Sequence, residues 1–136
     1  MSQETIARLF NNPTHQGPLP DADVTGLCGI PGEGPYLRIH LKFADDVIEA
    51  ARFETYGCPY TVACGNWVAG WVCGRTVKQA RILTAEDVSL VLGGLPPGKE
   101  HCAALSVNAL LNGLAQHLYS TAGASGDGEN AASSRV

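Results

Sequence analysis

The stretch YLRIHLKF, residues 36–43, alternates apolar and polar side chains without a break. Because successive side chains of a β-strand point to opposite faces, this pattern predicts a half-buried strand. Leu37, Ile39, Leu41 and Phe43 share the apolar face, and the polar face is basic. The apolar face needs a cover, which the flanking segments must supply.

The neighbouring segments predict the sheet partners of this strand. Ala44-Asp45-Asp46 has the composition of a turn, and Val47 to Tyr56 returns as the second arm of a hairpin. On the other side, Val24 to Cys28 is a candidate short strand, followed by a loop rich in glycine and proline at residues 29–35. We therefore expect a small antiparallel sheet, with His40 solvated on its polar face.

A long helix is predicted directly after the sheet. Pro59 suits the first turn of a helix, where its missing N–H costs nothing, and the helix should end near Cys73-Gly74. The residues at helical spacing that form its apolar stripe are Tyr60, Cys64, Trp67 and Trp71.

Two short helices and a second long helix complete the pattern. Thr76 and Thr84 each begin a segment with the sequence of a capping box. Leucines at helical spacing then predict a last helix through Leu118. Because strands come early and helices late, we expect an α+β fold with several helices packed on one face of the sheet.

The chain of 136 residues fits one domain. We expect that domain to span residues 1–120 and to begin with a short helix at Ser2 to Asn12. Residues 121–136 are mostly small and polar and have no apolar periodicity, so they predict a disordered tail.

Charge and hydropathy exclude several classes of partner. The formal net charge of −4 and the lack of clustered Lys and Arg argue against nucleic acid and against an anionic membrane. The apolar runs are shorter than the roughly 18 residues needed to cross a bilayer. The first residues lack the basic start and apolar stretch of a signal peptide, so we expect a cytoplasmic protein.

The five cysteines are expected to be reduced thiols, because their number is odd and the chain reads as intracellular. Cys58 and Cys102 fall at predicted helix starts, where free N–H groups and the helix dipole stabilise a thiolate. Cys64 and Cys73 fall inside a helix and are expected to be packing residues. Three chain breaks could meet at one end of the sheet, and Cys58 and Cys102 lie at two of them.

Three segments carry a resemblance to a known family. The runs Phe53 to Cys58, Val72 to Val77 and Leu95 to Cys102, with Asn108-Ala109 after them, are similar in order and spacing to the iron-sulfur cluster scaffold family of IscU and the N-terminal domain of NifU. The resemblance covers roughly residues 2–120. It implies a small antiparallel sheet with packed helices, the fold already expected from the residues.

The resemblance also implies a ligand set. Cys58, His101 and Cys102 match three positions by which the family binds a cluster or zinc, and His101 either ligates or orients the site. In the loop, Glu33 stands where the family has a cysteine, and Pro35 where it has an aspartate. Either Glu33 supplies the remaining ligand, which we favour, or the loop folds so that Cys28 does.

The function implied by the resemblance is that of a scaffold, not an enzyme, and no catalytic residue is assigned. Sulfur would come from a cysteine desulfurase to Cys58 or Cys102, iron would join it as a [2Fe-2S] cluster, and the cluster would pass to recipient apoproteins. The segment Leu95 to Lys99 resembles the site for an Hsp70-type chaperone, although a rigid lead into the last helix explains it equally. The cation of Lys99 would stabilise the nearby thiolates.

Three alternatives remain open. The first is a zinc-binding sulfur acceptor of the same family, and the second is a divergent interaction module without a cluster. The third, a hydrolase using Cys58 and His101, lacks an identifiable oxyanion site.

Overall fold

The computed structural model describes residues 14–122, which form three antiparallel strands followed by four helices. The strands are β1 (Val24–Gly29), β2 (Tyr36–Ala44) and β3 (Val47–Tyr56), in the spatial order β1-β2-β3. The helices are α1 (Pro59–Val72), α2 (Val77–Ala80), α3 (Ala85–Val91) and α4 (Glu100–Ala122).

β2, the strand predicted from the alternating stretch, is the centre of the sheet. Leu37, Ile39 and Leu41 are fully buried between β1 and β3. Phe53 of β3 lies directly opposite Ile39 and is equally buried. This apolar face packs against α1 and α4, so the α+β fold with helices on one face of the sheet is confirmed.

On the polar face of the sheet, the expectation of a solvated His40 is wrong. Its Nδ1 lies 2.9 Å from the Thr25 hydroxyl, and its Nε2 lies 2.8 Å from a carboxylate oxygen of Glu54. Thr25 is directly opposite His40 in β1, whereas Glu54 is diagonally across in β3. The strand register therefore links the three strands through this histidine, which alternation along one strand does not show.

Helix α1 approaches the sheet most closely through small residues, and the aromatic residues of the predicted stripe pack against the edge of the core. The aromatic side chains of that stripe are only half-buried. At Gly65, a side chain would come within 2.7 Å of Phe53 and 2.9 Å of Leu37, so the helix lies too close to the sheet for a larger residue. The fully buried apolar side chains of α1 are Ala63, Cys64, Val68, Ala69 and Val72.

Helix α4 lies equally close to β1 and covers its edge. At Gly26, a Cβ would come within 2.0 Å of the Ala109 carbonyl and 2.5 Å of the Gly113 nitrogen. The Asn112 side chain accepts a hydrogen bond from the backbone of β1, and the Gln116 side chain donates one to it. These contacts satisfy edge-strand groups that would otherwise be free to pair with another chain.

The short helices begin as the sequence predicts. Thr76 and Gln79 form a complete capping box at the start of α2, and Thr84 and Asp87 form one at the start of α3. Each box satisfies two backbone N–H groups that a helix start leaves unpaired.

Some of the predictions made from the sequence concern residues outside 14–122. The short helix predicted at Ser2 to Asn12 lies outside the described residues, as do residues 123–136 of the predicted tail. The division into a domain at 1–120 and a disordered tail stays a prediction, although α4 continues to Ala122. Within residues 14–122, no helix combines the length and apolar character that a bilayer crossing requires.

Candidate functional site

Three chain breaks meet at one end of the sheet. Gly29 pairs with Tyr36 and Tyr36 with Tyr56, so the loop at residues 30–35 and the junction between β3 and α1 share that end. Helix α4 runs antiparallel to β1, as its contacts with β1 show, and this brings its first turn to the same end. The meeting predicted from the sequence is therefore confirmed.

Cys58 is the residue that caps the start of α1. Its backbone is extended, with φ −81° and ψ 172°, and Pro59 follows as the first residue of the helix. The Cys58 carbonyl accepts hydrogen bonds from the backbone N–H groups of Thr61 and Val62 at 2.9 and 3.3 Å. The thiol is half-buried at a helix N-terminus, where the helix dipole favours negative charge.

The thiol of Cys102, in the first turn of α4, lies beside that of Cys58. The two sulfur atoms are 3.6 Å apart, and Cys102 is fully buried whereas Cys58 is half-buried. The structure thus brings together two cysteines that are 44 positions apart in the sequence.

Thr61 connects the two thiols. Its hydroxyl donates a hydrogen bond to Cys102 Sγ at 3.3 Å and lies 3.7 Å from Cys58 Sγ. Gly57 makes room for it, because a Cβ at Gly57 would lie 2.9 Å from the Thr61 hydroxyl oxygen. Sequence analysis missed Thr61; the available signal was a hydroxyl three residues after a helix-capping cysteine, the position at which a cap meets the first turn.

The Cys58 thiol is acidified by its neighbours. Burial raises its pKa, but hydrogen bonds involving Thr61, Cys102 and the Tyr60 backbone outweigh burial and lower the pKa from 9.0 to about 7. About half of the Cys58 side chains are then thiolate near neutral pH, the form that attacks sulfur and binds soft metals.

Cys102 is shifted in the opposite direction. Burial raises the pKa of its thiol, and neither the hydrogen bond from Thr61 nor the charge of Lys99 reverses that direction. The predicted stabilising effect of the Lys99 cation on a thiolate is present, although burial is the larger effect. The Lys99 ammonium also lies 5.8 Å from the centre of the Tyr60 ring, which joins the first turns of α1 and α4.

His101 is exposed beside the buried thiol. Its Nε2 lies 3.7 Å from Cys102 Sγ. An imidazole at this distance can exchange a proton with the thiol or turn towards a metal bound there. Its direct ligation stays a prediction.

The structure does not bring Glu33 or Cys28 into contact with the thiol pair. Glu33 is exposed in the loop, and its side chain makes no hydrogen bond or ion pair with the residues described at 14–122. Cys28 belongs to β1, opposite Leu37, and packs against the core. Which of the two completes a ligand set stays a prediction, but Glu33 is in the loop and can move without breaking the sheet.

A surface cavity of about 400 Å³ lies between that loop and the sheet. Its walls are Gly32 and Gly34 of the loop together with Tyr36 and Tyr56 at the strand ends. Both glycines have φ near +90 to +112° and open space where a side chain would be. The loop has space in which to move Glu33 relative to the thiols.

The other two cysteines of α1 differ from Cys58. Cys64 is fully buried, and burial raises its pKa to about 12. Cys73, at the end of α1, donates its S–H to the Ala69 carbonyl at 3.3 Å, and burial raises its pKa as well. Both have the character of the packing residues that the sequence predicts.

The chemistry of the site is that of soft donors. Among residues 14–122, no group of three or more His, Cys, Asp and Glu side chains is already arranged to hold a metal ion. The two thiols in contact and the adjacent imidazole are nevertheless ligand types that suit iron-sulfur species and zinc. The accessible, acidified thiol of Cys58 is also suited to accepting sulfur.

Comparison with known families gives a match over nearly the whole chain. The NifU-like N terminal domain matches residues 1–123. The iron-sulfur cluster assembly scaffold protein IscU 1 of Archaeoglobus fulgidus is 34% identical over 117 residues, which are 86% of this chain and 76% of that protein. The scaffold protein IscU of Aquifex aeolicus is 38% identical over 109 residues, 79% of this chain and 69% of that protein.

Another relative and a solved structure agree. The scaffold protein IscU of Escherichia coli K12 is 31% identical over 118 residues, 84% of this chain and 91% of that protein. A crystal structure from Fervidobacterium islandicum, described as a candidate cluster assembly scaffold of the SUF system, superposes with a TM-score of 0.67. It covers 82% of this chain and 94% of that one at 20% identity, which supports the fold alone.

Proposed function

This chain belongs to the NifU-like N-terminal domain family, and on that premise we propose that it is an iron-sulfur cluster assembly scaffold. It receives sulfur from a cysteine desulfurase, binds iron, and passes a [2Fe-2S] cluster to recipient apoproteins. The cluster is cargo rather than a resident cofactor, and the chain does not turn over a substrate as an enzyme does.

One observation carries the proposal: the thiols of Cys58 and Cys102 are 3.6 Å apart at the meeting point of two helix N-termini. Two thiolates this close repel each other unless a proton, a metal or hydrogen-bond donors lie between them. The free N–H groups and positive dipole ends of α1 and α4 reduce this repulsion. A divalent metal would remove it, which favours metal binding at this pair.

We further propose that His101 and Glu33 complete the metal shell. His101 is already beside Cys102, and the open glycine-rich loop can carry Glu33 towards the thiols. Cys28 is the alternative, at the cost of separating the end of β1 from Leu37. The ligand set with Glu33 contains two sulfurs, one imidazole and one carboxylate oxygen.

The carboxylate oxygen of Glu33 favours a second candidate function, that of a zinc-binding sulfur acceptor of the same family. Zinc binds carboxylate oxygen as well as thiolate and imidazole, whereas iron-sulfur clusters prefer thiolate. The same pair of thiols serves both candidates, so metal analysis separates them. The divergent interaction module without a cluster is a third outcome, in which neither metal binds.

Partner binding is also part of the proposal. The segment Leu95 to Lys99 would take an Hsp70-type chaperone; it has no regular secondary structure, and Pro97 and Gly98 are exposed. Residues 96–99 form a turn closed by a hydrogen bond from the Lys99 N–H to the Pro96 carbonyl at 3.0 Å, so the segment would open to bind as an extended proline-rich peptide.

The test is cluster assembly under anaerobic conditions with ferrous iron, cysteine, a purified cysteine desulfurase and a dithiol reductant. We expect a visible absorption spectrum typical of a [2Fe-2S] cluster, with iron and acid-labile sulfide in equal amounts, and transfer to an apo-ferredoxin. Cys58→Ser should abolish assembly, whereas Cys73→Ser should not. Zinc binding without assembly would select the sulfur acceptor instead, and assembly by a Cys58→Ser/Cys102→Ser variant would contradict the site.

A further inference from the structure

The two thiols of the site differ in access although their sulfur atoms are in contact. Cys58 is half-buried at the surface, whereas Cys102 has no solvent exposure and lies 3.6 Å behind it. A sulfur donor arriving from outside therefore reaches Cys58 first. Cys102 Sγ has no exposed surface but is in contact with the sulfur of Cys58.

Cluster assembly poses a redox problem at such a pair. A desulfurase delivers sulfur as a persulfide, in which the outer sulfur is sulfane sulfur, but a cluster contains sulfide. Each delivered sulfur must gain two electrons before it can enter a cluster. Two adjacent thiols hold two electrons that they release on forming a disulfide.

We propose that Cys102 is a resolving thiol that reduces the sulfur accepted by Cys58 and releases it as sulfide. This inference rests on the proposed function, because it requires that a persulfide reach Cys58. It assigns different roles to two residues that otherwise serve alike as ligands.

The first step is transfer of the outer sulfur. The Cys58 thiolate attacks the outer sulfur of a donor persulfide R–S–SH, the S–S bond of the donor breaks, and R–S⁻ leaves with the electron pair. Cys58 now carries the –S–SH group. The donor thiolate takes up the proton that Cys58 gave up, so one thiol and one persulfide have exchanged places.

The second step is resolution. The Cys102 thiolate attacks Cys58 Sγ, the S–S bond of the persulfide breaks, and HS⁻ leaves with the electron pair. The proton from the Cys102 thiol converts HS⁻ to hydrogen sulfide. The sulfane sulfur is reduced, the two cysteines are oxidised to a disulfide, and no outside oxidant or reductant takes part.

The contacts of Cys102 suit this attack. A disulfide bond is about 2.05 Å long, so the two sulfur atoms need to approach by about 1.5 Å from their present 3.6 Å. The Thr61 hydroxyl already donates to Cys102 Sγ at 3.3 Å and can stabilise the thiolate as it forms. His101 Nε2, at 3.7 Å from the same sulfur, is placed to take the thiol proton.

The resolution step requires one reaction before it and another after it. A persulfide donor must act before this step, and a dithiol reductant must act after it to return the Cys58–Cys102 disulfide to two thiols. Thiol–disulfide exchange with a reduced dithiol protein is the class of reaction that does so. Until it occurs, the pair can neither accept sulfur nor bind metal.

The experiment uses metal-free, reduced protein and one equivalent of glutathione persulfide without oxygen or added thiol. Wild-type protein should release about one sulfide per chain, lose about 2 Da in intact mass, and yield a Cys58–Cys102 peptide cross-link. Cys102→Ser should instead gain about 32 Da and release no sulfide. Cys73→Ser is the matched control and should behave like wild type.

The outcomes separate this inference from the proposed function. A wild-type chain that keeps the added sulfur and releases no more sulfide than Cys102→Ser would overturn the resolving role while leaving Cys58 as the acceptor. A chain whose Cys58 takes up no sulfur at all would overturn both. If serine at the buried position 102 unfolds the protein, Cys102→Ala, which places no polar group there, provides the same comparison.

Discussion

The two ends of helix α1 carry the same side chain in opposite chemical settings. Cys58 caps the N-terminal end and Cys73 the C-terminal end, and both thiols are half-buried. The pKa of Cys58 is lowered to about 7, mainly because hydrogen bonds from Thr61 outweigh burial, whereas burial raises the pKa of Cys73. Two partly buried thiols on one helix therefore have pKa values shifted in opposite directions.

Helix polarity accounts for the difference. At the N-terminal end, interactions with the backbone of Tyr60 and Thr61 and with the Thr61 hydroxyl, which lies 3.7 Å from the sulfur, lower the pKa of Cys58 and favour a thiolate. At the C-terminal end, free carbonyls need donors: the Cys73 S–H donates to the Ala69 carbonyl and the Arg75 side chain to the Trp71 carbonyl. The surroundings of Cys58 therefore favour a thiolate, whereas burial and donation to the Ala69 carbonyl favour a protonated thiol at Cys73.

The largest effect should come from displacing α1, the helix whose two ends are capped by Cys58 and Cys73. In Gly65→Val, the new side chain would collide with Phe53 and Leu37, so we expect a loss of about 3 kcal/mol or more in the free energy of unfolding. Urea denaturation measures it. Gly70→Ala is the control, because its Cβ would meet only the movable side chain of His15 and should cost much less; equal losses would show that α1 does not approach the sheet as described.

Thiol reactivity is the direct comparison of the two ends. At pH 7, about half of Cys58 is thiolate, whereas burial raises the pKa of Cys73 and keeps its thiol protonated, so iodoacetamide should modify Cys58 at least about tenfold faster in metal-free protein. The rate at Cys58 should be half-maximal near pH 7, and that at Cys73 should still be rising at pH 9. Peptide mapping by mass spectrometry assigns the rate at each cysteine. Comparable rates at Cys58 and Cys73 would contradict the proposed difference between the two ends of α1.

Thr61 should account for part of the difference. Thr61→Val removes the hydroxyl but keeps the shape, so the pKa of Cys58 should rise from about 7 towards 9.0 and its alkylation at pH 7 should slow severalfold. Thr61→Ser keeps the hydroxyl and should restore the wild-type pH profile. A serine variant as slow as the valine variant would assign the effect to packing of the methyl group instead.

The smallest expected effect is on stability as a function of pH. Because the folded pKa of Cys58 is below its unfolded value near 9.0, its contribution is present above pH 9 and is lost as the pH falls through 7. After allowance for solvent screening at this partly exposed thiol, we expect about 1 kcal/mol. Urea titrations of reduced, metal-free protein should show the stability advantage of wild type over Cys58→Ser growing between pH 7 and 9.

The same titration on Cys73→Ser should show the opposite sign. The folded pKa of Cys73 is above its unfolded value, so ionisation of this thiol destabilises the folded state, and wild type should lose stability relative to Cys73→Ser as the pH rises above 9. Parallel curves for the two variants would contradict the distinction between the two ends.

The elements of the fold were predictable where a local pattern determines them. Alternation identified β2, and the paired residues at Thr76 and Thr84 identified the starts of two short helices. The close approach of α1 to the sheet at Gly65 was not predictable from hydrophobicity, because contact with Phe53 selects this residue for its size. Periodicity counts apolar residues but carries no information on how closely two elements approach.

The site was predictable only in part. Cys58 and Cys102 could be assigned to helix starts from the sequence, and the idea that chain breaks share one end of the sheet placed them together. The role of Thr61 was missed because its importance lies in contacts with two sulfurs, one of them 41 positions away. The place of Glu33 relative to the thiols depends on a loop whose conformation the local sequence does not determine, whereas Cys28 is held in β1 by its pairing with Leu37.

The central claim is that the N-terminal end of α1, and not its C-terminal end, is the metal and sulfur site. Its most direct test is the metal and acid-labile sulfide content of wild type, Cys58→Ser and Cys73→Ser, each purified without oxygen. The account predicts iron with equal sulfide, or zinc, in wild type and Cys73→Ser, and its loss in Cys58→Ser. Full metal content in Cys58→Ser, or its loss in Cys73→Ser alone, would contradict the account.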